Sequence, residues 1–333
     1  MGETVLVTGA TGLVGGWCAK LLLEQGYAVR ATLRSRAKEG ALRAAVGAED
    51  EAGGRLSVHE ADLMDDAGWA QAMAGVDYVL HVASPLGDGR QTLEELIGPA
   101  RDGALRVLKA ASAAGVKRVV MTSAAATARP PRASGLPSDE SVWADPADPQ
   151  FDGYRRSKIL AERAAWEFME AQGGATALTT VLPGAVFGPI LSREAVSSVG
   201  IVRGLMHGRP ARLPRFGFWV VDVRDLADLH IRAMTAPQAA GQRFLGLSEF
   251  MWMEDVATAL REGLGAAGAK VPIQRLPNIA YRIGALFSRQ MRYFLPDLNS
   301  RYPANVDKAR KLLGWAPRSG RETVIDCGRS LAA

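Results

Sequence analysis

The first residues of the chain switch between two hydrophobic patterns. An unbroken apolar run, Thr4–Thr8, leads into glycines, and apolar residues at helical spacing follow from 13 to 23 and stop before Gly26. A second predicted strand, Ala28–Leu33, comes after a short loop. Strand, helix and strand in this order are typical of a βαβ unit with parallel strands. The pattern therefore predicts the start of a parallel α/β sheet.

The same alternation continues along most of the chain and predicts a doubly wound (Rossmann) parallel sheet with a smaller C-terminal lobe. The division predicted is a Rossmann domain over 1–189, rejoined by about 220–247, and a substrate-binding lobe over 190–219 and 248–333, in which 190–218 is irregular. Further strands are predicted at 56–63, 76–85, 117–123, 177–182 and 243–247, and helices at 65–75, 91–114, 151–173, 220–234, 252–264, 279–294 and 306–313.

Three glycines follow the first strand at positions that suit a nucleotide. Gly9 permits a positive φ, Gly12 lets backbone N–H groups approach a pyrophosphate, and Gly15 lets the helix pack on the strand. The helix N-terminus then faces the anion. A tight turn without a ligand is the alternative, but the strand before the turn and the helix after it favour a nucleotide site.

The end of the second strand indicates which dinucleotide binds. NAD sites commonly place an acid there, on the ribose 2′-hydroxyl, whereas a 2′-phosphate needs cations. This chain has Arg34, Arg36 and Lys38 and no acid before Glu39. We therefore expect NADP(H), with Arg34 as the main contact and Arg36 or Lys38 assisting; a solvated basic loop is the alternative.

Composition narrows the class of protein. The chain has 333 residues, 48% of them hydrophobic and 23% charged, with a net charge of +5. The basic residues are mixed with acidic ones, which favours an anionic small ligand over a nucleic-acid footprint. Two distant cysteines and four scattered histidines indicate neither a disulfide framework nor a metal site. Without a recognisable signal peptide or membrane span, we expect a cytoplasmic protein.

Two candidate chemical groups lie on the predicted helix over 151–173. Tyr154 and Lys158 are four residues apart, so they share one helix face, one turn from each other. A neighbouring ammonium favours the phenolate of a tyrosine, whose ordinary pKa is near 10. His81, by contrast, lies inside an apolar run, so we expect it to be buried and hydrogen-bonded rather than catalytic.

Several motifs, in consistent order over nearly the whole chain, resemble the extended short-chain dehydrogenases/reductases, and two more resemble the dihydroflavonol 4-reductase-like branch. That branch includes cinnamoyl-CoA reductases and microbial aldehyde and ketone reductases. The superfamily motifs are the turn at 8–15, Asp62 with Leu63, residues 81–85, Tyr154 with Lys158, and 183–189; the branch motifs are 139–143 and 305–317.

The resemblance implies an NADPH-dependent carbonyl reductase. Tyr154 would give a proton to the carbonyl oxygen as the nicotinamide delivers hydride, and Lys158 would also bind the nicotinamide ribose. No metal is implied. The implied cofactor-binding residues are Gly9, Thr11, Gly12, Leu13, Val14, Gly15, Arg34, Lys38, Asp62, Leu63, Val82, Ala83, Ser84, Tyr154, Lys158, Pro183 and Val186, with the Val186 backbone near the carboxamide.

The chain departs from the family at one catalytic position. The serine that binds the substrate carbonyl usually stands one position after Ser123, where this chain has Ala124. Ser123 could take the role through a shifted backbone, Thr127 could replace it, or the third hydroxyl could be missing. We take Ser123 as the catalytic candidate, ahead of Thr127.

Three functions fit these residues: a reductase of aldehydes or ketones, a nucleotide-sugar epimerase or dehydratase, and a non-catalytic NADP sensor. The first is favoured by the branch motifs and the basic residues after the second strand. We expect a small carbonyl substrate, no nucleic acid, no membrane, and a homodimer as the candidate assembly. The predicted substrate pocket lies between lobe and sheet and draws on Leu86, Phe187, Leu191, 216–219 and 291–294.

Overall fold

A computed structural model describes residues 2–48, 54–84, 93–192 and 198–332. Ten β-strands lie in this part of the chain. They are β1 Thr4–Thr8, β2 Ala28–Leu33, β3 Leu56–Glu60, β4 Tyr78–His81, β5 Arg118–Thr122, β6 Ala177–Pro183, β7 Ala185–Phe187, β8 Gly217–Asp222, β9 Arg243–Gly246 and β10 Glu249–Trp252.

Seven of these strands form one sheet in the order β3-β2-β1-β4-β5-β6-β9, and every neighbouring pair is parallel. The strand order reverses between β1 and β4, and a crevice for a ligand is expected at the carboxyl ends of these two strands. The predicted fold class is confirmed.

Twelve α-helices lie in the same described ranges. They are α1 Leu13–Glu24, α2 Glu39–Val46, α3 Trp69–Met73, α4 Leu93–Ala113, α5 Gly153–Gln172, α6 Val199–Met206, α7 Val223–Thr235, α8 Met253–Gly263, α9 Asn278–Phe287, α10 Arg289–Phe294, α11 Asp307–Leu313 and α12 Gly320–Ala332.

Helices cover both faces of the large sheet, which explains the continuous apolar runs of its strands. Val5, Leu6 and Val7 of β1 are all fully buried. Successive side chains of a strand point to opposite faces, so Val5 and Val7 join the core on the side of α1 and α7, whereas Leu6 joins the core under α3, α4 and α5.

A second, three-stranded sheet has the order β10-β8-β7, with β8 antiparallel to β10 and parallel to β7. It corrects the sequence prediction in two places. Residues 220–222 belong to β8 and not to a helix, because Asp222 is the N-cap of α7 and its side chain accepts the Arg224 N–H. Residues 190–218 are not wholly irregular, because they contain α6 and the start of β8.

Three other features differ from the prediction. The predicted helix over 279–294 is two helices, because Ser288 has an extended backbone and caps α10. The strand predicted to reach 63 ends at Glu60, and Asp62 and Leu63 lie in the turn that follows. Two helices, α2 and α12, were not predicted.

Candidate active site

The glycine turn after β1 has the geometry expected of a diphosphate cradle. Gly9 has a φ of 71°, and a Cβ there would lie 2.9 Å from the backbone N of Ala83. A Cβ on Gly15 would lie 2.2 Å from the carbonyl oxygen of Gly9. Gly12 is the N-cap of α1, and the first turn of α1 has no side-chain cap and no acidic residue. The helix therefore presents free N–H groups to an anion.

Thr8 fixes the backbone at the end of the neighbouring strand. Its hydroxyl oxygen accepts the N–H groups of Val82 at 3.1 Å and Ala83 at 3.0 Å, and lies 2.9 Å from Nδ1 of His81. Since the oxygen already accepts twice, its own proton is available to Nδ1, which makes His81 the neutral Nε2–H tautomer. Burial, followed by the charge of Lys158, lowers the pKa of His81 to about 3. The prediction of a buried, hydrogen-bonded histidine is confirmed.

The basic loop after β2 is exposed, as a 2′-phosphate site requires. Arg36 donates to the carbonyl oxygen of Val58 and pairs with Glu39 at 3.5 Å. Arg34 has neither a hydrogen bond nor an ion pair with any residue that the structure describes. Of the two arginines, Arg34 is thus the one whose guanidinium is available to a ligand.

Asp62, Leu63 and Ser84 also lie beyond the carboxyl ends of strands. Asp62 accepts the N–H of Met64, and Leu63 packs against Gly103 of α4. The structure describes Val82, Ala83 and half-buried Ser84 as an irregular segment directly after β4.

The segment after β6 is tied to the helix that follows the glycine turn. The indole N–H of Trp17 on α1 donates to the carbonyl oxygen of Pro189 at 2.7 Å. Val186 in this segment is buried and pairs with Val221 of β8, and Pro183 ends β6. The bond from Trp17 therefore joins the end of this segment to the helix that begins at the glycine turn.

Tyr154 and Lys158 lie in the first two turns of α5. The carboxylate of Asp152 caps this helix by accepting the Arg155 N–H at 2.8 Å, which fixes where the helix begins and hence where both side chains point. Lys158 is 6% exposed, and no described residue accepts a hydrogen bond from its ammonium. A buried ammonium without an acceptor suits a ligand that carries hydroxyl groups.

The two groups have shifted pKa values. Burial raises the pKa of Tyr154 to about 12, with a further contribution from Asp152, so the phenol keeps its proton at neutral pH. Burial lowers the pKa of Lys158 to about 8, although the charge of Glu162 opposes this. The expected lowering of the tyrosine pKa by Lys158 does not appear: burial and Asp152 raise this pKa, and the charge that lowers it is that of Arg155.

Ser123 and Thr127, the two candidates for the third hydroxyl, both bond to the protein itself. The hydroxyl of Ser123 donates to Glu162 at 2.6 Å, and that of Thr127 donates to the carbonyl oxygen of Ala124 at 2.8 Å. Both residues are buried. To donate to a substrate, either hydroxyl would have to leave its present acceptor.

Glu162 is a buried carboxylate at the centre of this arrangement. It lies one helical turn after Lys158 and is fully buried. One of its oxygens, Oε1, accepts from Arg243 Nε at 2.9 Å and from Thr180 at 2.7 Å, and the other accepts from Ser123. The site therefore holds a buried ion pair, formed between Glu162 and Arg243.

Arg243 also holds the long loop that precedes α5. Its guanidinium donates to the carbonyl oxygens of Glu140 at 2.8 Å and Val142 at 2.6 Å, and to the Thr127 hydroxyl at 3.1 Å. Sequence reasoning missed Glu162 and Arg243. The only local signal was an acid four residues after Lys158, on the same helix face.

The predicted substrate pocket is only partly seen. Leu86 lies outside the described residues, Phe187 is fully buried in the core, and Leu191 lies near Gly16 of α1. Of the predicted aromatic residues, Phe216 and Phe294 come together, with ring centres 6.2 Å apart. The ring of Tyr281, which was not predicted, lies 5.2 Å from that of Phe216. No helix in the described ranges is long and apolar enough to cross a membrane.

Comparison with known proteins gives consistent matches. The model of the NAD dependent epimerase/dehydratase family matches residues 5–245. Cinnamoyl-CoA reductase 1 of Petunia hybrida is 36% identical over 265 residues, which cover 78% of this chain and 77% of that protein. An anthocyanidin reductase ((2S)-flavan-3-ol-forming) of Vitis vinifera is 33% identical over 257 residues, covering 72% of this chain and 75% of that one.

A solved structure matches over nearly the full length. The crystal structure of the yeast methylglyoxal/isovaleraldehyde reductase Gre2, in complex with NADPH, superposes with a TM-score of 0.82 at 27% identity. The match covers 99% of this chain and 98% of that one.

Proposed function

The chain belongs to the NAD-dependent epimerase/dehydratase family, and we propose that it is an NADPH-dependent reductase that converts an aldehyde or ketone into an alcohol. The observation that carries this proposal is the Lys158 ammonium, which is buried without an acceptor among the described residues, one helical turn from Tyr154.

The relatives confirm three predictions: the extended short-chain dehydrogenase/reductase superfamily with its dihydroflavonol 4-reductase-like branch, an oxidoreductase, and NADP(H) as the cofactor. The domain division, the site residues, the cytoplasmic location, the homodimer and the lack of a nucleic-acid partner stay predictions.

The residues present fit this cofactor. A Cβ at Gly9 or Gly15 would collide with backbone, so the turn keeps its close approach to a diphosphate only with glycine. Arg34 is available to a 2′-phosphate, and Lys158 to ribose hydroxyls. When bound, NADPH would supply the hydride.

In the proposed reaction Tyr154 donates the proton that the carbonyl oxygen needs. With a pKa of about 12, the phenol carries the proton to be donated at neutral pH. The positive charge of Lys158 stabilises the phenolate left behind, so Lys158 must be cationic for turnover. Ser123 is the candidate that orients the carbonyl oxygen, with Thr127 as the alternative.

The epimerase or dehydratase reaction of nucleotide sugars is the competing function, because it uses the same tyrosine and lysine pair. The two differ in cofactor balance: a reductase consumes NADPH in proportion to product, whereas an epimerase returns its cofactor unchanged.

The test is to follow NADPH absorbance with a panel of aldehydes and ketones, and to assay nucleotide sugars for conversion without net NADPH loss. We expect NADPH consumption that depends on the carbonyl compound. Conversion of a nucleotide sugar together with no consumption on any carbonyl compound would replace this proposal with the competing one.

A further inference from the structure

Arg129 is a cation that the mechanism above does not use. It directly follows the short 3₁₀ turn Ala125–Ala128, six residues after Ser123, in the loop at the carboxyl end of β5. In an open α/β sheet this edge faces the ligand crevice.

The side chain of Arg129 makes no hydrogen bond to any residue in the described ranges. Its Nη1 atom is buried and without a partner. The guanidinium instead stacks on an aromatic ring, with Cζ 3.7 Å from the centre of the Tyr302 ring. Stacking of this kind leaves the edge of the guanidinium, with its N–H donors, free for a planar acceptor.

The nearby carboxylate is already committed to other groups. Asp297 accepts from Arg155 at 2.8 Å with one oxygen and from the Tyr302 hydroxyl at 2.8 Å with the other. Arg132 adds a further donor to the same tyrosine hydroxyl. Asp297 thus attracts Arg129 over a distance, but neither of its oxygens is hydrogen-bonded to Arg129.

The positive charges near Asp297 therefore outnumber the negative ones among the described residues. Arg129, Arg132 and Arg155 lie around Asp297, and the second carboxylate near Arg155 is the helix cap Asp152, at 3.3 Å. Among the described residues, these three cations have two carboxylates near them. Burial, and then the charge of Arg155, lower the pKa of Arg129 to about 10. A buried cation without a hydrogen-bonded partner is costly, and a bound anion would remove that cost.

The position of Arg129 connects it to the proposed reaction. Arg155 directly follows Tyr154 on α5, and its ion pair with Asp297 joins the start of this helix to the C-terminal part of the chain. Tyr302, which carries the stacked guanidinium, comes from the same C-terminal part. Arg129 thus lies where the catalytic helix, the loop after β5 and the C-terminal segment meet.

We propose that Arg129 binds an anionic group, a carboxylate, on the carbonyl substrate, so that the preferred substrates are oxo-acids rather than neutral aldehydes or ketones. This inference rests on the proposed reductase function and specifies its substrate class. A carboxylate matches the free guanidinium edge, because two parallel N–H groups can donate to its two oxygens.

The test compares each acid with its own methyl ester. The probes are para-formylbenzoate and succinic semialdehyde, each against its ester, with kcat and KM measured at saturating NADPH. We expect kcat/KM of the wild type to be roughly tenfold or more higher for the acid, because a charged hydrogen bond contributes that much. Most of the difference should be in KM.

In Arg129→Gln, kcat/KM for each acid should fall to kcat/KM for its methyl ester. The matched control is Arg132→Gln, which removes the same charge three residues away from an exposed side chain over the same ring at 5.2 Å. It should keep the preference for the acid. Arg129→Lys keeps the positive charge but loses the two parallel N–H donors of the guanidinium, so it should keep part of the preference for the acid.

A second measurement separates binding from structure. Because Arg129 lacks a bonded partner in the described part of the chain, Arg129→Gln should keep or raise the Tm of the ligand-free protein. Benzoate should raise the Tm of the NADP⁺-loaded wild type and leave that of the variant unchanged.

The failures of the two proposals can be told apart. Equal kcat/KM for acid and ester in the wild type would overturn the role of Arg129 and leave the reductase function standing. A large loss of Tm in Arg129→Gln with the preference for the acid intact would have the same meaning. If no probe is reduced, stabilisation by benzoate that requires Arg129 would still support the anion site, and its absence would overturn it.

Discussion

Replacing Glu162 with glutamine should move the alkaline limb of the pH profile to lower pH. In the proposed mechanism Lys158 has to be cationic. Because burial lowers its pKa to about 8, kcat/KM for carbonyl reduction should be high below this pH and fall above it. Glu162 supports the cation from one helical turn away. Without that negative charge, Lys158 should lose its proton at a lower pH.

The size of the shift follows from the helix geometry. Residues four apart have Cβ atoms about 5–6 Å from each other, and two unit charges at about 6 Å interact by about 3 kcal/mol at an effective dielectric constant of about 20. That corresponds to about two pKa units. Since water entry and relaxation weaken the interaction, we expect the limb to move by at least about one unit. His81, which also lies near Lys158, stays neutral throughout because its pKa is about 3.

The assay measures kcat/KM for one reduced substrate across neutral and alkaline pH. Thr180→Val is the matched control, because it removes one hydrogen bond to Glu162 and leaves the charge in place. We expect it to cost about 1 kcal/mol of stability and to leave the limb where it is. Glu162→Asp keeps the charge and serves as the second variant if the glutamine variant does not fold, since breaking a buried ion pair costs about 3–5 kcal/mol.

Two results would refute this reasoning. One is a folded Glu162→Gln variant whose alkaline limb coincides with that of the wild type. The other is an equal shift in Thr180→Val, which would mean that packing around α5, and not the charge of Glu162, sets the limb.

Three other changes test the remaining site residues. Arg34→Asp should reverse the preference for NADPH over NADH. In the wild type this preference should become smaller as the salt concentration rises, because Arg34 is exposed. Equal use of both cofactors by the wild type at low salt would contradict the assignment. Ser123→Ala should lose about 2.7–4 kcal/mol of transition-state stabilisation and Thr127→Ala little, as read from kcat/KM, and the opposite ranking would move the role to Thr127. Gly15→Ala should weaken NADPH binding in a fluorescence titration, because its Cβ would lie 2.2 Å from a backbone oxygen of the turn. Gly40→Ala is the control, since a Cβ there meets open space, and it should bind NADPH normally. Unchanged NADPH affinity in Gly15→Ala would contradict the role of the glycine turn in diphosphate binding.

Features encoded within a few residues could be predicted from the sequence. The observed bounds of β1 and β2 are those predicted, and the positive φ of Gly9 agrees with the glycine turn predicted after β1. Tyr154 and Lys158 lie on one helix within five residues, so helical spacing alone places them on one face.

Features that depend on distant partners could not. Glu162 and Arg243 are 81 residues apart, and no local pattern pairs them. Arg129 and Tyr302 meet only because the C-terminal segment returns to the loop after β5. The error at 220–222 has a similar origin: pairing with β7 and β10 makes this apolar run a strand, while its own sequence continues smoothly into α7.

The most direct test of the reductase proposal is hydride transfer from NADPH deuterated at its transferable position to an aldehyde that the enzyme reduces. We predict an alcohol with one deuterium on the carbon that was the carbonyl carbon, and a solvent-derived proton on its oxygen. In Tyr154→Phe the deuterated alcohol should fall to background, while NADPH binds with nearly the wild-type affinity. An alcohol without deuterium, or a Tyr154→Phe variant that keeps most of its kcat, would contradict the account.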